Sequence, residues 1–143
     1  MTIHKKGQAH WEGDIKKGKG TISTESGALE QHPYGFNTRF EGKPGSNPEE
    51  LIGAAHAACF SMALSLMLGE AGHIPQSIDT TADVSLDKVD GGFAITKIAL
   101  QSHVHLPGIE KAAFDKIIHQ AKENCPVSKL LKADITLDYQ LKN

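Results

Sequence analysis

The chain has 143 residues, a length that suits one compact domain over 1–143, and its 15 Lys and Arg against 17 Asp and Glu give a net charge of −2. That even balance argues against nucleic acid or an anionic membrane as the main partner. Hydrophobic residues at 39% and charged residues at 22% can build a core that needs neither a metal nor a disulfide to fold.

Taken in chain order, the first seven residues carry charge with no apolar run behind them, so no secretory signal is expected. Residues 3–11 and 20–24 mix β-branched and aromatic residues between Gly-rich turns and predict two strands. Residues 36–40 read as a third short strand with Phe36 and Phe40 on one face, after a turn at residues 32–35. Residues 41–46 read as a loop.

A strong helix start follows. Asn47 suits the N-cap, Pro48 the first helical position, and Glu50 sits three after the cap. The helix is expected to end near Glu70, with Gly72 and Pro75 beyond it, after about 35 Å. Residues 51–69 carry no formal charge, but five Ala, two Gly, His56, Ser61 and Ser65 dilute their hydrophobicity. A span needs about 20 strongly apolar residues, so this segment reads as a core helix buried on most sides and not as a membrane helix.

Residues 78–88 alternate as a strand, residues 90–92 turn, and residues 93–105 form the returning strand of a hairpin. Its odd-numbered residues, Phe93 to His105, are expected on one face. Residues 110–123 predict an amphipathic helix with Ala113, Phe114, Ile117, Ile118 and Ala121 inward. Residues 126–131 form a short helix, and residues 135–141 a last strand. Strands and helices are grouped, so the class is α+β.

Two cysteines carry the most chemical interest. Cys59 lies mid-helix and reads either as a small buried residue or as a nucleophile. Cys125 precedes Pro126 and sits at a helix cap, where a thiolate is favoured, or is simply a turn residue. Their separation of 66 residues excludes a zinc knuckle, and there is no CxxC. A distant pair acts as attacker and resolver only if their Cα atoms come within about 7 Å. An unsecreted chain with two thiols points to a reducing, cytoplasmic compartment.

Three further residues stand out. His56 is one turn before Cys59 and reads as its base or as a core histidine. Arg39 is the sole Arg beside 14 Lys, either a surface cation or a chosen bidentate fork. Glu49, in the first helical turn, compensates the helix dipole or serves one site with Cys59. Ten residues of helix separate Glu49 from Cys59 by about 15 Å, so a site using both needs a second copy or a fold-back. His103 and His105 share a strand face without an obvious third ligand, and no metal is expected.

Residues 47–60, Asn-Pro-Glu-Glu-Leu-Ile-Gly-Ala-Ala-His-Ala-Ala-Cys-Phe, together with Asn124-Cys125-Pro126-Val127-Ser128, resemble the OsmC/Ohr hydroperoxide reductases. The resemblance covers essentially the whole chain. It implies the OsmC-like fold as an intertwined homodimer with two active sites at the subunit interface. It implies a thiol peroxidase acting on organic hydroperoxides in oxidative and osmotic stress. In that reading Cys59 is peroxidatic, Cys125 is resolving, and Arg39 and Glu49 are the activating pair contributed by the other chain. No bound cofactor is implied; an external dithiol of lipoyl type is the reductant. Apolar Phe60 and Met62 favour organic hydroperoxides over hydrogen peroxide.

Three rivals remain at this level. One is a Cys-His hydrolase or transferase built on Cys59 and His56. Another is a dimeric binding protein with inert thiols. The last is metal storage or sensing.

Overall fold

A computed structural model describes residues 1–143. The chain comprises two compact units, residues 1–51 and residues 52–143.

In the first unit, β1 (Gly7–Glu12), β2 (Lys19–Thr24) and β3 (His32–Tyr34) form an antiparallel sheet in the order β1-β2-β3. β3 occupies the segment read as a turn. Pro33 is tolerated there because β3 is an edge strand with β2 on one side only. Residues 36–40, expected as a strand, form the short helix α1 (Phe36–Phe40). A spacing of four fits a strand face and a helix face equally well, so Phe36 and Phe40 do not separate the two. Their rings pack 4.9 Å apart on the helix. Thr38 Oγ1 settles the local conformation: it accepts from the Gly35 N–H at 3.0 Å and lies 2.9 Å from the Ser46 carbonyl.

The long helix α2 (Pro48–Glu70) starts and stops as its end residues dictate. Asn47 Oδ1 accepts the Glu50 N–H at 2.8 Å. At the other end Gly72 takes a left-handed φ of 88°. The His73 N–H reaches the Leu68 carbonyl at 2.8 Å and the Gly72 N–H reaches that of Gly69 at 3.0 Å, a Schellman closure.

The second unit contains most of α2 and a sheet of β4 (Ser77–Val89), β5 (Gly92–His105) and β6 (Asp134–Lys142), in the order β4-β5-β6. β4 and β5 are the expected hairpin, and β6 runs parallel to β5. α3 (Lys111–Asn124) and α4 (Pro126–Leu130) connect β5 to β6. Phe60, Leu64 and Leu68 of α2 meet Ile98, Leu100 and Val104 of β5 and Phe114, Ile118 and Ala121 of α3 in one fully buried cluster. Each such side chain contributes roughly 1.5–3 kcal/mol when removed from water. Gly53 lets α2 approach the sheet, because a Cβ there would lie 3.1 Å from the Ala82 carbonyl.

Two expectations for this unit need correction. The strand pairing slips between Ser85 and Leu86, leaving Thr96 opposite no partner. This bulge turns Ile95 toward the core although it is odd-numbered. Ala113 of α3 is exposed, because the apolar stripe of that helix is narrower than its composition suggests.

α2 is also not buried on most sides. Gly53, His56, Phe60, Leu64 and Leu68 face the core. Ala54, Ala55, Ala58, Met62 and Leu66 are exposed, with Met62 at 75% and Leu66 at 63%. The helix is long and apolar enough, by length and composition alone, to cross a membrane. Its sequence is apolar on both faces, whereas the chain itself covers only one.

Candidate active site

The second unit brings together the two cysteines, 66 positions apart in the chain. Cys59 projects from the middle of α2 and is half-buried; Cys125 is fully buried between α3 and α4. Both are free thiols. Cys59 lies close enough to the Cys125 side chain and the Val127 backbone for both to act on its ionisation. That contact is the arrangement an attacker and its resolver require.

Local sequence explains how Cys125 arrives there. It closes α3, its N–H bonding the Ala121 carbonyl at 3.0 Å, and opens α4, its carbonyl accepting the Lys129 N–H at 3.1 Å. Pro126 occupies the first position of α4. The next N–H, that of Val127, belongs to the first turn and has no helical acceptor, so it is available to a thiolate. The sequence placed Pro126 correctly, and the free N–H that follows from it is the signal that was passed over. α4 has only five residues, so its dipole adds little at Cys125.

The electrostatics of Cys59 within this unit favour the thiol. Burial pushes its pKa above the ordinary value, and the Cys125 side chain adds to that rise. The Val127 N–H pulls the other way and does not prevail. For Cys59 to attack as a thiolate, a cation would have to offset burial and Cys125.

In the first unit, Arg39 and Glu49 form the fork expected of them. Arg39 Nη2 donates to Glu49 Oε1 at 2.7 Å, and Nε lies 3.1 Å and 3.2 Å from the two carboxylate oxygens. Arg39 sits on α1, with its guanidinium carbon 5.3 Å from the Phe40 ring centre. Glu49 is in the first turn of α2. The pair orients the guanidinium while leaving its side chain 36% exposed, and so available to another group.

His56 is not hydrogen-bonded to Cys59. It is fully buried, and its Nε2 lies 2.8 Å from Ser128 Oγ while Nδ1 has no partner. Burial holds its pKa below the usual 6.5. The Cys-His rival therefore lacks its defining contact. Phe60, expected near the substrate, is fully buried in the core, whereas Met62 is on the open face of α2. No group of three or more His, Cys, Asp or Glu side chains forms a metal-sized cluster.

A family model described as OsmC-like protein matches residues 40–140, a stretch that holds Glu49, Cys59 and Cys125. Peroxiredoxin OsmC of Escherichia coli (strain K12) is 80% identical over 143 residues, which is 100% of each chain. The organic hydroperoxide resistance protein OhrB of Bacillus subtilis (strain 168) is 31% identical over 86% of this chain and 89% of its own. The crystal structure of Bacillus subtilis OhrB superposes with a TM-score of 0.67 and 27% identity, covering 96% of this chain and 98% of that one. The chain belongs to the OsmC-like family.

Proposed function

We propose that the chain is a cysteine-based peroxidase that reduces organic hydroperoxides to alcohols. The observation that carries this is the contact of two free thiols, Cys59 and Cys125, with Cys59 the more accessible. Relatives named Peroxiredoxin OsmC and organic hydroperoxide resistance protein support the same chemistry.

The steps follow from thiol chemistry. The Cys59 thiolate attacks one peroxide oxygen; the O–O bond breaks, and the alkoxide takes a proton to leave as an alcohol. Cys59 is left as the sulfenic acid. Cys125 attacks that sulfur, an S–S bond forms, and the hydroxyl leaves with the Cys125 proton as water. An external dithiol reduces the disulfide by exchange and is itself oxidised to a disulfide. The closely spaced thiols of a lipoyl-type dithiol suit that exchange.

Activation falls to Arg39 and Glu49. At an ordinary thiol pKa only about 3% is thiolate at pH 7, and a fall of about three units gives a gain near thirtyfold. An adjacent cation supplies roughly one to three units. Arg suits this better than Lys because it cannot lose its proton. The same guanidinium stabilises charge on the departing alkoxide.

The working unit is a homodimer in which Arg39 and Glu49 of one chain serve Cys59 of the other. The exposed face of α2 supports this, since its large apolar side chains Met62 and Leu66 lie open. Free thiols that must cycle through the reduced state suit the cytoplasm. The osmotic and oxidative stress context rests on the family resemblance.

The test is steady-state reduction of cumene hydroperoxide with dihydrolipoamide as reductant. Cys59→Ser is expected to abolish activity. Cys125→Ser is expected to stop after one reduction per chain. Full turnover by Cys59→Ser would overturn the reading.

A further inference from the structure

His56 and Cys59 are three residues apart on α2, and Cys125 and Ser128 are three apart across the start of α4. Each pair therefore spans about one helical turn. The structure joins them as two rungs: His56 Nε2 to Ser128 Oγ at 2.8 Å, and Cys59 to Cys125. The His56 rung is a side-chain hydrogen bond from α2 to α4 that takes no part in the peroxide chemistry. Its donor is buried completely, and its Nδ1 has no partner. An orphaned ring N–H in a core costs more than an orphaned lone pair. The ring thus carries its proton on Nε2 and donates to Ser128.

We propose that His56 and Ser128 are a positioning pair for the resolving step, holding the Cys125–Ser128 turn against α2 so that the Cys125 sulfur stays in line with the Cys59 sulfenic acid. This rests on the peroxidase reading above. Resolution forms the S–S bond, breaks the S–O bond of the sulfenic acid and releases water carrying the Cys125 proton. Its competitor is a second peroxide, which oxidises the same sulfenic acid to sulfinic acid and leaves as an alcohol. Neither His56 nor Ser128 touches the reacting atoms. They set how often Cys125 is within reach when the sulfenic acid forms, and so decide between the two fates.

The readout is the cumene hydroperoxide dose at which half of Cys59 becomes sulfinic acid instead of disulfide, measured by peptide mass after one addition to reduced protein. The dose reports a ratio of two fates of one intermediate, so a smaller folded fraction lowers yield without moving it. Ser128→Ala is expected to lower the dose about fivefold, the effect of one hydrogen bond. Ser128→Thr, which keeps the hydroxyl, is expected to hold the wild-type dose. His56→Leu removes the other half of the bond and is expected to match Ser128→Ala, which keeps the proposal testable if either variant folds poorly. A wild-type dose in Ser128→Ala, or an equal fall in Ser128→Thr, would overturn the positioning role. Wild-type protein that loses no thiols to peroxide would instead overturn the peroxidase reading.

Discussion

Arg39 matters for what its position offers, not for stability. Its fork with Glu49 is well formed, but the guanidinium is 36% exposed, and such pairs contribute about 0–1 kcal/mol. Arg39→Ala should therefore leave the urea midpoint almost unchanged. It should raise the Cys59 pKa, read from iodoacetamide alkylation against pH, and cut the peroxidase rate more than about tenfold. An unchanged alkylation profile would remove Arg39 from the mechanism. His56 gives the opposite kind of prediction. Burial holds its folded pKa below the usual 6.5, so the folded chain keeps the ring neutral while the unfolded chain protonates it near that value. The stability this gives is present above about pH 6.5 and is lost as pH falls through the lower folded value. Urea unfolding from about pH 8 to about pH 5 should show wild type losing more stability than His56→Leu. Parallel curves would contradict the assignment. Arg39, Glu49, Cys59 and Cys125 were all legible in the sequence as candidates. Ser128 was not, because its role lies in a hydrogen bond to a residue 72 positions away.

Elements with strong end signals were readable, and those whose pattern fits two periods were not. Asn47, Pro48 and Gly72 fix both ends of α2, and the structure places the helix between them. Asn47→Ala should cost about 1 kcal/mol in the urea midpoint, since the Glu50 N–H would lose its cap. Leu64→Ala, in the centre of the buried cluster, should cost roughly 2–5 kcal/mol. A smaller loss for Leu64 than for Asn47 would mean that α2 is held by its ends and not by its packing. α1 escaped the sequence because five residues with Phe at each end satisfy either helix or strand. Thr38 decides, through bonds to Gly35 and to Ser46, eight residues on. The bulge at Thr96 does leave a trace, since Thr96 and Lys97 are consecutive polar residues and the large apolar positions move from Phe93 and Ile95 to Ile98 and Leu100.

At the scale of the whole molecule, α2 is apolar all round in sequence and covered on only one side by its own chain. A sequence pattern reports that both faces want cover, but not what provides it; the proposed homodimer would place a second copy there. Leu66→Glu changes an exposed residue and so should leave the fold intact while producing a monomer by sedimentation, with activity lost. A sharper test of the shared site refolds Arg39→Ala together with Cys59→Ser. If each site takes its cysteines from one chain and its guanidinium from the other, mixed dimers regain one sound site, about a quarter of the wild-type total in a random mixture. No recovery would place all four residues in one chain. The central claim, attack by Cys59 and resolution by Cys125, is tested most directly by counting thiols. Fully reduced protein is given one equivalent of cumene hydroperoxide and mapped by peptide mass. Rapid loss of two thiols per chain, with Cys59 and Cys125 in one linked peptide, is the expected result; two thiols persisting through excess peroxide would contradict it.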